Sequence, residues 1–112
     1  MPTKQVTIAD SGTVSGAIKL FDDYDTAPES LVGIICAAGF ATANLTFQAS
    51  VDNVTYYVMY NAAGAVVTII GAAASEWIAL DPADFAGVPW IKVVSSATQS
   101  GGDVLTLVTR RL

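Results

Sequence analysis

Apolar and polar residues alternate with a period of two along much of the chain. Between Asn44 and Val51, Leu45, Phe47, Ala49 and Val51 interleave with Thr46, Gln48 and Ser50, the pattern of a strand with one face on a core. A second run, Tyr56 to Tyr60, follows across Asp52 and Asn53. Both of those residues tolerate the left-handed backbone of a tight turn, so the pair reads as a β-hairpin. Asn61 to Gly64 makes another turn, and the β-branched run Ala65 to Ile70, ended by Gly71, completes a three-strand meander. Glu76 to Leu80 is short and apolar. Asp81 to Ala86 reads as a turn or one-turn helix, because Pro82 cannot donate to a sheet and Asp81 can cap. Trp90 to Ser95 and Val104 to Arg110 are further strands, separated by a Ser/Thr/Gly-rich stretch, Ser96 to Gly102, that reads as an exposed, mobile loop. Earlier strands are expected at Lys4 to Ala9, Gly16 to Leu20 and Leu31 to Ala37.

About nine short strands at spacings of roughly ten residues, with no long helical period, predict an antiparallel, jelly-roll-like β-sandwich in a single domain over residues 1–112. The competing reading is a helix over Ala62 to Leu80, where alanine is frequent. Gly64, Gly71 and the β-branched cluster Val66 to Ile70 oppose it.

Composition narrows the function. Hydrophobic residues make up 53% and charged residues 13%, which excludes a disordered acidic tail. The same balance predicts a homo-oligomer, since so weakly charged a monomer would leave a large apolar surface in water. Ten acidic against five basic residues give a net charge of −5, a poor surface for phosphate backbones, so nucleic acid is not an expected partner. With no histidine, Ser-His-Asp and Cys-His catalysis and histidine metal sites are impossible. Cys36, the single cysteine, sits among apolar residues and reads as a small buried side chain. The chain is therefore expected to be no enzyme and to carry no cofactor. Its apolar stretches, Leu31 to Ala38 and Ala62 to Ala74, are interrupted and fall short of the ~20 residues of a membrane span. The start lacks the apolar core of a secretory signal, which predicts a chain made and kept in a cytoplasm until used.

The blocks Leu31 to Ile35, Ala43 to Asp52, Tyr60 to Thr68, Ile78 to Gly87, Ile91 to Val93 and Leu105 to Arg110, taken in order, resemble small virion structural proteins of tailed bacteriophages. The resemblance covers about two thirds of the chain. It implies a capsid cement, or decoration, protein: a small β-sandwich, commonly a trimer, made in the host bacterial cytoplasm. Such a protein binds the outer capsid lattice and bridges subunits of the major capsid protein. The sequence departs from the family at Asp52 to Tyr56, where an Asp-Gly turn is usual, and at Ser95 to Asp103, which is shorter and richer in serine and glycine. A tail- or fibre-associated module binding host glycans is the alternative.

Few residues suggest chemistry. Asp22, Asp23 and Asp25 form the densest acidic group, which lacks EF-hand spacing and reads as a solvated loop or a patch for a basic partner surface. Asp81 and Asp84 read as turn and capping residues, since nothing marks one for a raised pKa. The stretch from Met1 to Ala9 is a candidate arm reaching a neighbouring subunit through Lys4, Val6 and Ile8, or else the first strand of its own sandwich. Trp77, Trp90, Tyr56, Tyr57 and Tyr60 are expected to fill the core or an oligomer interface. Under the adhesin alternative they would be exposed platforms. The Asn44 and Asn53 glycosylation patterns are coincidental without a secretory route. Gly12, Gly16 and Gly33 lack the lysine and the strand-to-helix setting of a phosphate loop.

Overall fold

The computed structural model describes residues 3–8, 12–20, 29–99 and 104–111. Strands form wherever the period-two pattern is strongest: β1 (Thr3–Thr7), β2 (Gly12–Val14), β3 (Ile18–Lys19), β4 (Glu29–Cys36), β5 (Ala43–Ser50), β6 (Tyr57–Val58), β7 (Thr68–Ala72), β8 (Trp77–Ala79), β9 (Trp90–Gln99) and β10 (Val104–Arg111). One sheet runs β1-β10-β4-β8; the other runs β2-β9-β5-β6, with β3 also on β9 and β7 also on β5. All pairings are antiparallel.

The connectivity is nested. If β2 with β3, and β6 with β7, are each taken as one interrupted strand, the first strand pairs with the last, the second with the second-last, the third with the sixth and the fourth with the fifth. A long hairpin rolled up in this way is a jelly roll. The expected all-β, antiparallel sandwich is the fold observed.

Inward-facing residues of both sheets make the core: Val6 and Ile8, Leu31 and Ile34, Leu45 and Phe47, Ile91 and Val93, Leu105 and Leu107. Phe47 meets Phe85 edge to face, with ring centroids 5.0 Å apart and planes at 81°, a geometry that sets ring edge against π face. Phe85 is delivered by a 3-10 turn, Pro82–Phe85, where Asp81 caps by accepting the Ala83 N–H. The turn is fastened to β4 by the Ser30 hydroxyl, which donates to the Pro82 carbonyl at 2.6 Å. The expected one-turn helix is present.

Four local expectations fail, each for a physical reason. First, Ser96 to Gln99 is not loop but the continuation of β9. The buried Gln99 accepts from the Ala41 N–H (2.9 Å) and donates to the Ala41 carbonyl (3.0 Å) and Ser95 hydroxyl (3.1 Å). Its amide satisfies the backbone of a neighbouring loop, so a polar residue serves as an inward strand position. Residues 100–103 lie outside the described set.

Second, there is no three-strand meander. Val58 pairs with Gln48, and Thr68 with Thr46, so residues 59–67 stand opposite Phe47 alone. They form a small hairpin budding from one edge strand. It is closed by the Tyr60–Val66 bridge and by Asn61, whose backbone N–H bonds the Ala65 carbonyl and whose Oδ1 accepts from the N–H groups of Ala63 and Ala65.

Third, Gly71 does not end its strand. Ile69 faces Leu45 and Ala72 faces Ala43, so Ile70 and Gly71 both oppose Asn44, a β-bulge with Gly71 at φ +69°. That backbone is cheap for glycine and strained for other residues. The Gly71 N–H bonds the Asn44 side-chain oxygen at 2.9 Å. Ile69 and Ala72 both turn inward, and Ile70 is thrown into solvent.

Fourth, the core half of the expectation for Trp77, Trp90, Tyr56, Tyr57 and Tyr60 fails, since none of the five is buried. Trp77, Tyr57 and Tyr60 are exposed, and Trp90 and Tyr56 half-buried. Among the described residues, the buried rings are those of Phe40, Phe47 and Phe85. The competing helix over Ala62 to Leu80 is absent, and the strands preferred to it, β7 and β8, occupy the segment.

Candidate functional site

The two flanks of the sandwich are finished differently. On one flank, the chain leaving β1 is stitched to the opposite sheet by the Ile8–Ser15 bridge and by the Gly16 N–H to the Thr7 carbonyl (3.3 Å). Ser15 is itself held to β9: its N–H donates to the Val93 carbonyl, and its hydroxyl accepts from the Val93 N–H, both at 2.9 Å. Lys4 on β1 and Lys19 on β3 place cations on these outer strands. Lys19 Nζ lies 5.4 Å over the Trp90 ring.

On the other flank, β7 is the outer strand of one sheet and β8 of the other. Among the described residues no backbone hydrogen bond joins them. A groove of about 470 Å³ opens between them, floored by Ile69, Ile78, Leu80 and Phe85, with Asp81 and Asp84 at its wall. No charged residue lies in β6, β7 or β8. Ile70 is 83% exposed, Trp77 60%, Tyr57 70% and Val58 51%. A smaller hollow of about 240 Å³ lies against β6, between Val58, Met59 and Val88.

Trp77 is seated, though exposed. A methyl group added at Gly33 would lie 3.2 Å from its Nε1 and 3.3 Å from the Ile78 carbonyl, so the indole rests over the one β4 position without a side chain. The turn between β7 and β8 is fixed by Glu76, which accepts the Ala73 N–H at 2.8 Å. Burial, with the Glu76 charge second, pushes the Cys36 thiol above its usual range, which disfavours the thiolate form.

At the far end of β5 the expected hairpin turn is longer and is organised by side chains. Asp52 accepts from the N–H groups of Val54 (2.9 Å) and Thr55 (3.1 Å) and from the Ser50 hydroxyl (2.9 Å). Those donors hold its carboxyl below the usual carboxylate range, the two backbone N–H groups foremost. Asn53 supplies the left-handed residue at φ 60°, and the Tyr56 hydroxyl donates to its side-chain oxygen. Lys92 Nζ sits 4.3 Å over the Tyr56 ring.

The sequence-stated contact residues fall elsewhere. Val6 and Ile8 are buried in the chain's own core, and Lys4 is half-buried on a strand paired to β10. Neither apolar residue is free to meet a partner, because inward alternation commits both to this sandwich. Asp22, Asp23 and Asp25 lie outside the described residues. The residues that sequence reasoning missed are Ile70 and the groove wall. The only signal was the pair Ile69-Ile70 inside a strand, where period two forces one of them outward. Among the described residues, no group of three or more potential metal ligands comes together, and no helix is long and apolar enough to cross a membrane. Comparison with protein-family models, with curated proteins and with solved structures gave no match in any of the three.

Proposed function

We propose that this chain is a non-enzymatic structural protein of a bacteriophage virion, a capsid decoration protein that binds the outer lattice, as a trimer, and clamps neighbouring major capsid subunits. The observation that carries the reading is the open β7–β8 flank: an uncharged pair of outer strands with exposed Ile70 and Trp77 on a rigid jelly roll. Soluble proteins normally blunt such strands with charge or cover, and exposed apolar patches mark interaction sites. The resemblance of Leu31 to Arg110 to phage virion proteins supplies the context. Jelly rolls recur in viral capsid domains, an analogy of fold and not of site. A clamp needs only modest contacts, because a subunit already held by one neighbour meets the next at high effective concentration.

The test adds purified protein to capsids that lack it. Their melting temperature rises if the protein binds the assembled lattice, by linkage; an unchanged temperature at saturating protein contradicts the reading.

The exposure of Trp77, Tyr57 and Tyr60 favours a second reading, a tail-associated module stacking on host glycans. There, Trp77→Ala abolishes glycan binding while fold and assembly persist. In a decoration protein, the same variant weakens capsid binding and no glycan competes.

A further inference from the structure

We propose that the groove between β7 and β8 is the docking site for an extended, basic segment of a partner protein, which adds as a strand to the edge of β7. This names the chemistry of the partner and rests on the reading of the chain as an assembly protein. Three features point to such an occupant. A strand paired on one side only leaves alternate N–H and C=O groups facing outward, and an extended chain is the ligand that satisfies them in register. The groove lining offers apolar seats at the half-buried Ile78 and Leu80 and the exposed Ile70, which suit branched side chains spaced two apart on one face of that strand. The charged residues that line the groove are Asp81 and Asp84, both acidic, on a chain of net charge −5.

The electrostatics decide between occupants. Across a two-fold pairing of this groove, a second copy would bring its own Asp81 and Asp84 toward the same two carboxylates, and like charges juxtaposed across an interface are costly; in a three-fold ring any other face of a copy would still come from a chain of net charge −5. A lysine or arginine on the inserted strand would instead meet them, and the overall negative charge would steer it in. One Asp81 oxygen is engaged by the Ala83 N–H, so the carboxylate is held in place for its other oxygen to accept. The bulge at Ile70–Gly71 places the exposed Ile70 beside the incoming strand, as bulges that re-aim side chains do.

The test uses the full chain and an end-blocked peptide, Thr-Val-Thr-Val-Thr-Arg-Thr, titrated by NMR. Amide shifts concentrated in Thr68–Ala72 and Trp77–Leu80 are expected. Affinity should fall about tenfold or more when the peptide arginine is replaced by glutamate, or in the D81N/D84N variant, as loss of a charge-assisted contact requires. Asparagine still caps the 3-10 turn, so that variant keeps its fold, which its melting temperature verifies. Shifts centred on β1, equal binding of the arginine and glutamate peptides, or no shifts at millimolar peptide would each overturn the proposal. So would sedimentation of the free protein as an oligomer in which the β7 and β8 amides are already protected from exchange. Peptide binding without any rise in capsid melting temperature would instead leave the groove assignment standing and remove the capsid reading.

Discussion

The flank at β1 and the flank at β7–β8 solve the same problem in opposite ways. Each is where a sheet runs out of partners. At the first, a short bridge between Ile8 and Ser15 ties the two sheets, and Lys4 and Lys19 keep charge on the outer strands. At the second, no backbone bond among the described residues joins the two uncharged outer strands, and a groove opens between them. The contrast is what places the proposed contact surface at the open flank, since uncharged, uncovered outer strands are the ones that can take a partner.

The largest expected effect contrasts two identical substitutions. Ile8→Ala removes a fully buried side chain from the closed flank and should cost about 2–5 kcal/mol. Ile70→Ala, at the 83% exposed bulge position, should change stability by no more than about 0.5 kcal/mol. Denaturant unfolding of both variants checks this; similar losses would mean that the flanks are not built differently. Next is Gln99→Leu. It removes the two hydrogen bonds that tie the Ala41 backbone to the end of β9, each worth about 0.5–1.5 kcal/mol net. A melting temperature unchanged by this variant would show that the end of β9 is not buried as described.

Gly71→Ala forces a side chain into the left-handed region and should cost about 1–2 kcal/mol. It should also alter the exposure of Ile70, read by amide exchange along β7. Relief of the bulge without loss of stability would contradict the local geometry.

The smallest effect is in acid. Asp52 has its carboxyl lowered by the Val54 and Thr55 N–H groups. It therefore contributes stability that is complete above its unfolded-state pKa and is lost as pH falls through the lower folded value. An NMR titration of the Asp52 carboxyl should find its midpoint below that of an ordinary aspartate, and D52A should flatten the acid limb of the stability curve. A midpoint at or above the ordinary value would remove the turn's hydrogen bonds from the account.

Much of the fold was legible where period two holds: Leu45 and Phe47 on β5, and Ile91 and Val93 on β9, announce their inward face directly. Asp81-Pro82 announced the 3-10 turn through capping and proline chemistry alone. What the sequence hid were features set by partners distant along the chain. Gln99 looks like loop until the Ala41 backbone stands beside it, 58 residues away. The bulge at Gly71 depends on the Asn44 side chain, and a lone glycine in a β-branched run reads equally as a stop. The nine residues that bud from the β5 edge look like a strand because the pattern cannot distinguish a hairpin that joins the sheet from one that leaves it. The aromatic residues misled for a compositional reason: large rings are usually needed inside, but here Phe47 and Phe85 already fill the space between the sheets. The candidate site was the least legible part, since an open flank is defined by what fails to pair with it.

Amide hydrogen exchange of the protein, free and mixed with the phage capsids proposed to bind it, tests the central claim most directly. The open-flank account predicts new protection at Thr68–Ala72 and Trp77–Leu80 on binding, with Thr3–Thr7 unchanged. Protection gained at Thr3–Thr7 while β7 and β8 exchange as before would contradict it.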